Sequence, residues 1–146
     1  MIALIQRVSR AEVRVGGEVV GAIDAGILAL IGVEADDGEP DGNRLLERLL
    51  TYRIFPDGAG RMNLSVADID GGLLLVPQFT LAADTHKGTR AGFSLAAAPE
   101  QARRLFEHLR RQAQAAYAPV SAGVFGADMQ VSLVNEGPVT FWLETP

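Results

Sequence analysis

The sequence predicts a single compact α/β domain, residues 1–146, in which two main helices accompany a mixed β-sheet. Three observations lead to this prediction. Apolar segments with the alternation or continuous burial of strands occur at both ends of the chain and at its centre. Only two segments show helical spacing, and each begins near a proline that suits a first helical turn. Two helices are too few for the crossovers of a doubly wound parallel sheet, so a mixed sheet is expected.

Strands dominate the part of the chain before the first helix. The segments with strand character are residues 2–8, 12–15, 18–23 and 27–33. Gly16–Gly17 separates two of them and is typical of a tight hairpin turn. Residues 27–33 are apolar throughout, as expected of a strand covered on both faces. Pro40 then opens a helix whose leucines recur at helical spacing to about Tyr52.

The rest of the chain is expected to hold one more buried strand, a second helix and a β-rich end. Residues 55–72 are rich in Gly and Asp and are expected to be mostly loop, residues 73–79 a strand, and residues 82–98 irregular. Pro99 opens the second helix and Pro119 stops it. The expected buried stripe of that helix consists of Ala102, Leu105, Phe106, Leu109, Ala113, Ala116 and Tyr117. Strand-like alternation then fills residues 129–134 and 139–144, on either side of Gly137–Pro138.

Charge and composition limit the possible partners. The net charge is −5, which taken alone argues against a nucleic-acid partner. Five of the eighteen acids fall within residues 34–41, however, and the other thirteen are balanced by thirteen bases. Twelve of those bases are Arg, which suits bidentate phosphate contacts. The absence of Cys, of a secretory signal and of a membrane-length apolar run leads us to expect a cytoplasmic protein without a membrane partner.

Side chains for acid–base, nucleophilic or metal chemistry are scarce. His86 and His108 are expected to be solvated surface residues, and no metal site or cofactor is expected. The chain has neither a Gly-x-Ser-x-Gly elbow nor a glycine-rich phosphate loop. Thr80 is the one plausible hydroxyl nucleophile, but a structural role at a strand end is the alternative. Gly137–Pro138 is, likewise, either a plain turn or a functional loop.

Two segments together carry a more specific signal. Pro77-Gln78-Phe79-Thr80-Leu81 and Asn135-Glu136-Gly137-Pro138-Val139-Thr140 resemble the two signatures of the bacterial-type D-aminoacyl-tRNA deacylases, also called D-tyrosyl-tRNA deacylases. The resemblance extends over essentially the whole chain and includes residues 61–63 and 127–134. Pro77 stands where the family usually has Ser, so a hydroxyl and a backbone donor are missing. Residues 90–93 read Arg-Ala-Gly-Phe where the family usually has Arg-Pro-x-Phe.

The resemblance implies an enzyme that hydrolyses the ester of a D-aminoacyl-tRNA, or of glycine mischarged on tRNA-Ala, at the 3′-terminal adenosine. It implies a homodimer in which a cis Gly137–Pro138 peptide enters the pocket of the partner subunit and excludes L-amino acids. Backbone N–H groups near Phe79 and Thr80 would polarise the ester carbonyl, and the 2′-OH of the tRNA would activate water. No DNA partner is implied.

The resemblance also assigns site residues. Gln78, Phe79 and Thr80 are expected to be catalytic. The expected substrate-binding residues are Gly137, Pro138, Met129 and Arg7, of which Arg7 is also the favoured candidate for a contact with tRNA. Two alternatives stay open: a non-catalytic dimeric module that binds nucleotides or RNA ends, and a hydrolase of D-amino-acid esters that needs no RNA.

Overall fold

A computed structural model describes all of residues 1–146. The chain forms eight strands and two α-helices in the order β1 (Ile2–Val15), β2 (Glu18–Ile23), β3 (Gly26–Gly32), α1 (Glu39–Thr51), β4 (Phe55–Pro56), β5 (Met62–Leu64), β6 (Gly72–Pro77), α2 (Pro99–Ala116), β7 (Val120–Ala122) and β8 (Gln130–Glu144). Neither helix combines the length and the apolar composition that a membrane crossing requires.

The main sheet contains strands of both directions. β1 runs antiparallel to β2, β3 and β8, whereas β3, β6 and β7 run parallel to one another. β4 and β5 form a separate small hairpin. The mixed α/β fold predicted from the sequence is confirmed.

The long strand β1 organises the sheet. One of its edges pairs with β8, and the other is shared by β3, along residues 2–8, and β2, along residues 11–15. The sheet curls until β2 meets β7, where a Cβ added to Gly21 would lie 2.8 Å from the carbonyl oxygen of Ala122. The hydroxyl of Ser121 also donates to the Ala22 carbonyl, at 3.1 Å. β2 and β7 therefore close the curl by a close approach between the backbone at Gly21 and the Ala122 carbonyl, which only glycine permits at position 21.

Two apolar cores result from this geometry. The larger lies between the sheet and the two helices, and includes Ile5, Ile31, Leu45, Leu49, Leu105, Phe106 and Leu109. The smaller fills the inside of the curl with residues such as Val8, Val13, Leu28, Leu74 and Val76. Residues 27–31 contribute to both cores from alternate positions, which explains why that segment is apolar throughout.

Several predicted boundaries need correction. The buried strand ends at Pro77, not at residue 79, because the chain turns into a 3-10 turn, Phe79–Ala82, that leaves Phe79 59% exposed. Ala116, the last residue of α2, was expected to be buried but is exposed. His108 is not a solvated residue: its side chain is only 12% exposed, and its Nε2 lies 2.8 Å from Asn43 Oδ1 on the neighbouring helix.

Two elements were missed. The three residues of β7 are too few to show a period, and their strand conformation depends on pairing with β6. The β4–β5 hairpin lies inside residues 55–72, which were expected to be mostly loop. Its turn is built by Asp57, which accepts hydrogen bonds from the N–H groups of Ala59 and Arg61 at 2.8 and 3.0 Å.

Candidate active site

The first signature segment lies at the carboxyl end of β6. The N–H of Gln78 donates to the Ile31 carbonyl at 2.7 Å, which extends the β3–β6 ladder one residue beyond Pro77. The side-chain amide of Gln78 then donates to the Thr80 hydroxyl at 2.6 Å. Gln78, Phe79 and Thr80 are thus held together where the strand changes into the 3-10 turn.

The turn presents main-chain donors beside a cavity. Phe79 and Thr80 are its first two residues, and N–H groups at this position have no acceptor within the turn. An open cavity of about 350 Å³ adjoins it, lined among others by Thr80, Leu95 and Trp142. The rings of Phe79 and Phe93 pack with their centroids 5.3 Å apart at the same end of the sheet. A carbonyl group in this cavity would have donors and apolar surface available to it.

No carboxylate or imidazole is hydrogen-bonded to the Thr80 hydroxyl, although Glu34 lines the same cavity. The hydroxyl accepts from Gln78, and the nearest acid in sequence, Asp84, is bound to His86. Hydrogen bonds from the His86 N–H and then from its ring lower the pKa of the Asp84 carboxyl. Asp84 Oδ1 accepts both bonds, at 3.0 and 2.8 Å. This arrangement favours a positioning role for Thr80, as an acceptor that fixes Gln78.

Met129 belongs to the same end of the molecule. A Cβ added to Gly123 would lie 2.7 Å from Met129 Sδ and 3.4 Å from Pro77 Cδ, so the Met129 sulfur and Pro77 both border Gly123. The N–H of Val124 donates to the same sulfur at 3.4 Å. The structure therefore brings Met129 to the end of β6, next to the 78–80 segment.

The second signature segment is a bulge in β8. Pairing between β1 and β8 passes from Gln6–Thr140 directly to Val8–Asn135, so Arg7 alone faces residues 136–139. The Gly137–Pro138 peptide is cis, Gly137 has a φ of +143°, and both residues are exposed. Gly137–Pro138 is therefore a protrusion from a continuous strand and not a turn between two strands.

Two side chains fix the bulge. The amide oxygen of Asn135 accepts from the Val139 N–H at 2.8 Å, and its NH₂ donates to the Thr140 hydroxyl at 2.9 Å. Arg7 Nε donates to the Glu136 carbonyl at 2.9 Å, while its Nη1 donates to the Ile54 carbonyl at 2.8 Å. Arg7 is thus a support of the bulge. Asn135 was part of the motif but received no role, although its amide spans the two ends of the Gly–Pro segment.

The two signature segments lie apart within one chain. The 78–80 segment is attached at Ile31, whereas Arg7 beneath the bulge pairs with Ile27. Four strand residues separate these positions, which corresponds to roughly 13 Å. The structure brings Gln78, Phe79, Thr80 and Met129 together at one end, and Arg7, Gly137 and Pro138 together at another. A single chain does not unite the seven predicted residues in one pocket.

Known proteins resemble this chain over its full length. The family model described as D-Tyr-tRNA(Tyr) deacylase matches residues 4–144. A D-aminoacyl-tRNA deacylase of Thioalkalivibrio sulfidiphilus is 66% identical over 100% of this chain and 98% of the relative. Another, from Vibrio cholerae, is 60% identical over 99% of each chain.

Solved structures agree with the fold. One described as c-Myc DNA Unwinding Element Binding Protein superposes with a TM-score of 0.95 at 40% identity, covering 100% of this chain and 99% of the other. One described as a probable eukaryotic D-amino acid tRNA deacylase has a TM-score of 0.83 at 15% identity, covering 99% and 98%, and shows the fold alone. The family match, the full-length relatives and both signature segments lead to one conclusion: this chain belongs to the D-Tyr-tRNA(Tyr) deacylase family.

Proposed function

We propose that this protein is an editing hydrolase that cleaves the ester between a D-amino acid and the 3′-terminal adenosine of tRNA. Its full-length relatives are named D-aminoacyl-tRNA deacylases, which supports the reaction class. The observation that carries the mechanism is the 3-10 turn at the end of β6, whose residues Thr80 to Ala82 line an open cavity and whose first N–H groups have no acceptor within the turn. That geometry suits an ester carbonyl whose oxygen gains negative charge.

The reaction uses main-chain groups and the substrate itself. Water adds to the ester carbonyl carbon, and the N–H groups of Phe79 and Thr80 stabilise the resulting oxyanion. The 2′-OH of the terminal ribose orients the water and relays its proton. The bond between the carbonyl carbon and the ribose oxygen then breaks, and that oxygen takes the proton. The products are the free D-amino acid and tRNA with free hydroxyls on its last ribose.

The chiral filter is Gly137–Pro138 of a second subunit. The separation of roughly 13 Å within one chain supports a composite site, because a two-fold symmetric dimer can bring the bulge of one subunit to the 78–80 turn of the other. The bulge is exposed and rigidly held, as a steric barrier needs to be. Its carbonyl oxygens would clash with an L side chain, whereas a D side chain points out of the pocket. Glycine offers nothing to reject, so glycine mischarged on tRNA-Ala is a second substrate of the same site.

Paired substrates test the activity. Purified protein in a chelating buffer is expected to release D-tyrosine from D-tyrosyl-tRNA and to leave L-tyrosyl-tRNA intact over the same period. Equal loss of both esters would refute the filter. Saturable tRNA binding without deacylation would instead favour the non-catalytic RNA-binding module.

The role of the RNA is tested by removing the 2′-hydroxyl group of the terminal ribose. A D-tyrosyl-tRNA that ends in 2′-deoxyadenosine is expected to be bound but hydrolysed very slowly. Undiminished hydrolysis would point to an esterase that needs no help from the substrate.

The composite site is tested by combining two variants. Phe79→Pro removes one N–H donor and is expected to hydrolyse neither ester, whereas Gly137→Val distorts the bulge and is expected to hydrolyse the L ester as well as the D ester. A heterodimer of the two would contain one site with both lesions and one with neither, so the purified heterodimer is expected to hydrolyse the D ester and to reject the L ester. If the purified heterodimer hydrolyses both esters, both segments act within one chain.

A further inference from the structure

Three arginines line a groove away from the candidate active site. Arg44 and Arg48 lie one turn apart on α1, Arg53 follows the helix, and Met62 of the β4–β5 hairpin forms the opposite wall. The groove encloses about 580 Å³. Glu47 is the one acid among its lining residues, and its carboxylate lies 2.8 Å from Arg44. The lining therefore carries a net positive charge on a protein whose overall net charge is −5.

The protein neutralises the cations of this groove only in part. The Arg44–Glu47 pair is more than half exposed on both sides, so it competes weakly with other anions. Arg53 is exposed and forms no salt bridge, although the pKa of Asp68 is lowered by hydrogen bonds from Ser65 and, after them, by the charge of Arg53. Arg48 donates to the carbonyl of Glu144 at 2.7 Å, which holds it in place and leaves its charge uncompensated. Two exposed guanidinium groups and one that is held by the Glu144 carbonyl thus line the same groove.

Aromatic side chains form the floor. The rings of Tyr52 and Phe141 lie 5.8 Å apart and are tilted by 59°, and the guanidinium carbon of Arg48 lies 5.6 Å from the centre of the Tyr52 ring. Met62 is 47% exposed at the rim. Cationic groups that follow a backbone, next to rings on which bases stack, are the combination that binds single-stranded nucleic acid.

The groove adjoins the Gly137–Pro138 bulge. Arg7 donates both to Ile54, next to Arg53, and to Glu136, next to Gly137. Phe141 is three strand residues beyond Pro138, or roughly 10 Å along β8. A chain of nucleotides whose last residue lies under the bulge would therefore reach this groove within a few nucleotides.

We propose that the groove of Arg44, Arg48 and Arg53 binds the sugar–phosphate backbone of the tRNA acceptor end that leads into the active site. This inference rests on the proposed function, because it takes aminoacyl-tRNA as the ligand. The groove belongs to the subunit that contributes the bulge, so each tRNA is held by one subunit while its ester is cleaved at the 78–80 turn of the other.

The test removes two guanidinium groups without touching Arg48, which packs against the fold. The Arg44→Ala/Arg53→Ala variant is compared with wild type on D-tyrosyl-tRNA and on 3′-O-(D-tyrosyl)adenosine, which has no phosphate. For the tRNA, KM is expected to rise roughly tenfold with kcat unchanged, and the slope of log KM against log salt to fall by about 2. Hydrolysis of the adenosine ester is expected to stay at the wild-type rate.

A matched control removes the same charge elsewhere. Arg104 and Arg111 are exposed on α2, and the Arg104→Ala/Arg111→Ala variant is expected to behave as wild type. If both double variants shift KM equally, net charge and not the groove is responsible, and the proposal is overturned. An unchanged KM and salt slope in the groove variant, or equal loss on both substrates, also overturns it. Failure of the wild type to hydrolyse D-tyrosyl-tRNA would instead overturn the proposed function, and this inference with it.

Discussion

The guanidinium of Arg7 donates to the carbonyl oxygen of Glu136 at 2.9 Å, and this bond joins the first strand of the chain to the last. Arg7 is the residue of β1 that faces the bulge in β8, and its second bond, to the Ile54 carbonyl at 2.8 Å, prevents the side chain from swinging away. A charged donor therefore fixes the carbonyl that immediately precedes Gly137. The position of the proposed chiral filter depends on this contact.

Replacing Arg7 is expected to loosen the bulge. Arg7→Ala removes two charge-assisted hydrogen bonds, and we expect the free energy of unfolding to fall by about 2 kcal/mol. Hydrolysis of L-tyrosyl-tRNA is expected to rise relative to the D ester. Urea unfolding and the paired deacylation assay measure the two effects. Arg10→Ala, an exposed position on the same strand, is the control and should change neither.

Asn135 offers a graded test of the same bulge. Asn135→Ala leaves the Val139 N–H without its acceptor, so a loss of about 1 kcal/mol is expected. Asn135→Asp keeps an acceptor for that N–H, and its second carboxylate oxygen can accept from the Thr140 hydroxyl where the amide N–H had donated to it, so a smaller loss is expected. Thermal unfolding of both variants measures which one is less stable. If Asn135→Asp destabilises the protein as much as Asn135→Ala, the hydrogen bond from the Val139 N–H is not the one that stabilises the bulge.

Gly137 is expected to tolerate no side chain. Its φ of +143° is unfavourable for other residues, and a Cβ there would lie 2.8 Å from Val139 Cγ2 and 3.0 Å from the Val139 nitrogen. Gly137→Ala should therefore destabilise the protein by about 1–3 kcal/mol and impair rejection of the L ester. Gly58→Ala is the matched control, since a Cβ at Gly58 meets nothing. Equal unfolding midpoints for the two variants would contradict this reading of the bulge.

Thr80 distinguishes main-chain from covalent catalysis. Loss of an essential nucleophile lowers kcat by on the order of 10⁴ or more. Because the Thr80 hydroxyl accepts from Gln78 and is hydrogen-bonded to no carboxylate or imidazole, we expect Thr80→Ala to lower kcat by less than about tenfold. Thr80→Ser, which keeps the hydroxyl, should match wild type. Single-turnover deacylation measures the chemical step. A very slow rate in Thr80→Ala together with a wild-type rate in Thr80→Ser would support the nucleophile hypothesis.

The β4–β5 turn gives a pH-dependent prediction. Hydrogen bonds from the Asn63 side chain and then from the N–H groups of Arg61 and Ala59 lower the pKa of Asp57 below its ordinary value of 3.8. A lowered folded-state pKa stabilises the protein above that value, and the contribution is lost as the pH falls through the folded pKa. Asp57→Ala should therefore be less stable than wild type at pH 7, and the gap should narrow below about pH 3.8. Urea unfolding at pH 7 and pH 3 measures the difference in the free energy of unfolding between wild type and Asp57→Ala. The same difference at both pH values would show that the Asp57 carboxylate does not cause the pH dependence.

Local signals in the sequence predicted most of the secondary structure. Gly16 and Gly17 adopt φ values of +57° and +83°, as the tight turn between β1 and β2 requires. The helix that carries the leucine repeat ends at Thr51, one residue before the predicted Tyr52. These predictions succeeded because turn chemistry and helical period depend on neighbours in sequence. The strand β7 was missed because three residues are too few to show a period. The prediction that Phe79 belongs to the buried strand was wrong because an aromatic residue after such a strand does not reveal that the chain turns outward.

The sequence likewise predicted some features of the candidate site and missed others. The residues 78–80 and 135–140 were found from their order in the chain, and so was the scarcity of acid–base side chains. Sequence order did not reveal that Arg7 supports Glu136 across 129 positions, or that Met129 lies beside Pro77. Such contacts depend on the register in which β1 and β8 pair around the bulge and on the curvature of the sheet. Register and curvature arise from the packing of strands that are distant in the sequence. The sequence by itself determined the elements and the motif residues, whereas the tertiary structure decided which motif residues share an end of the sheet.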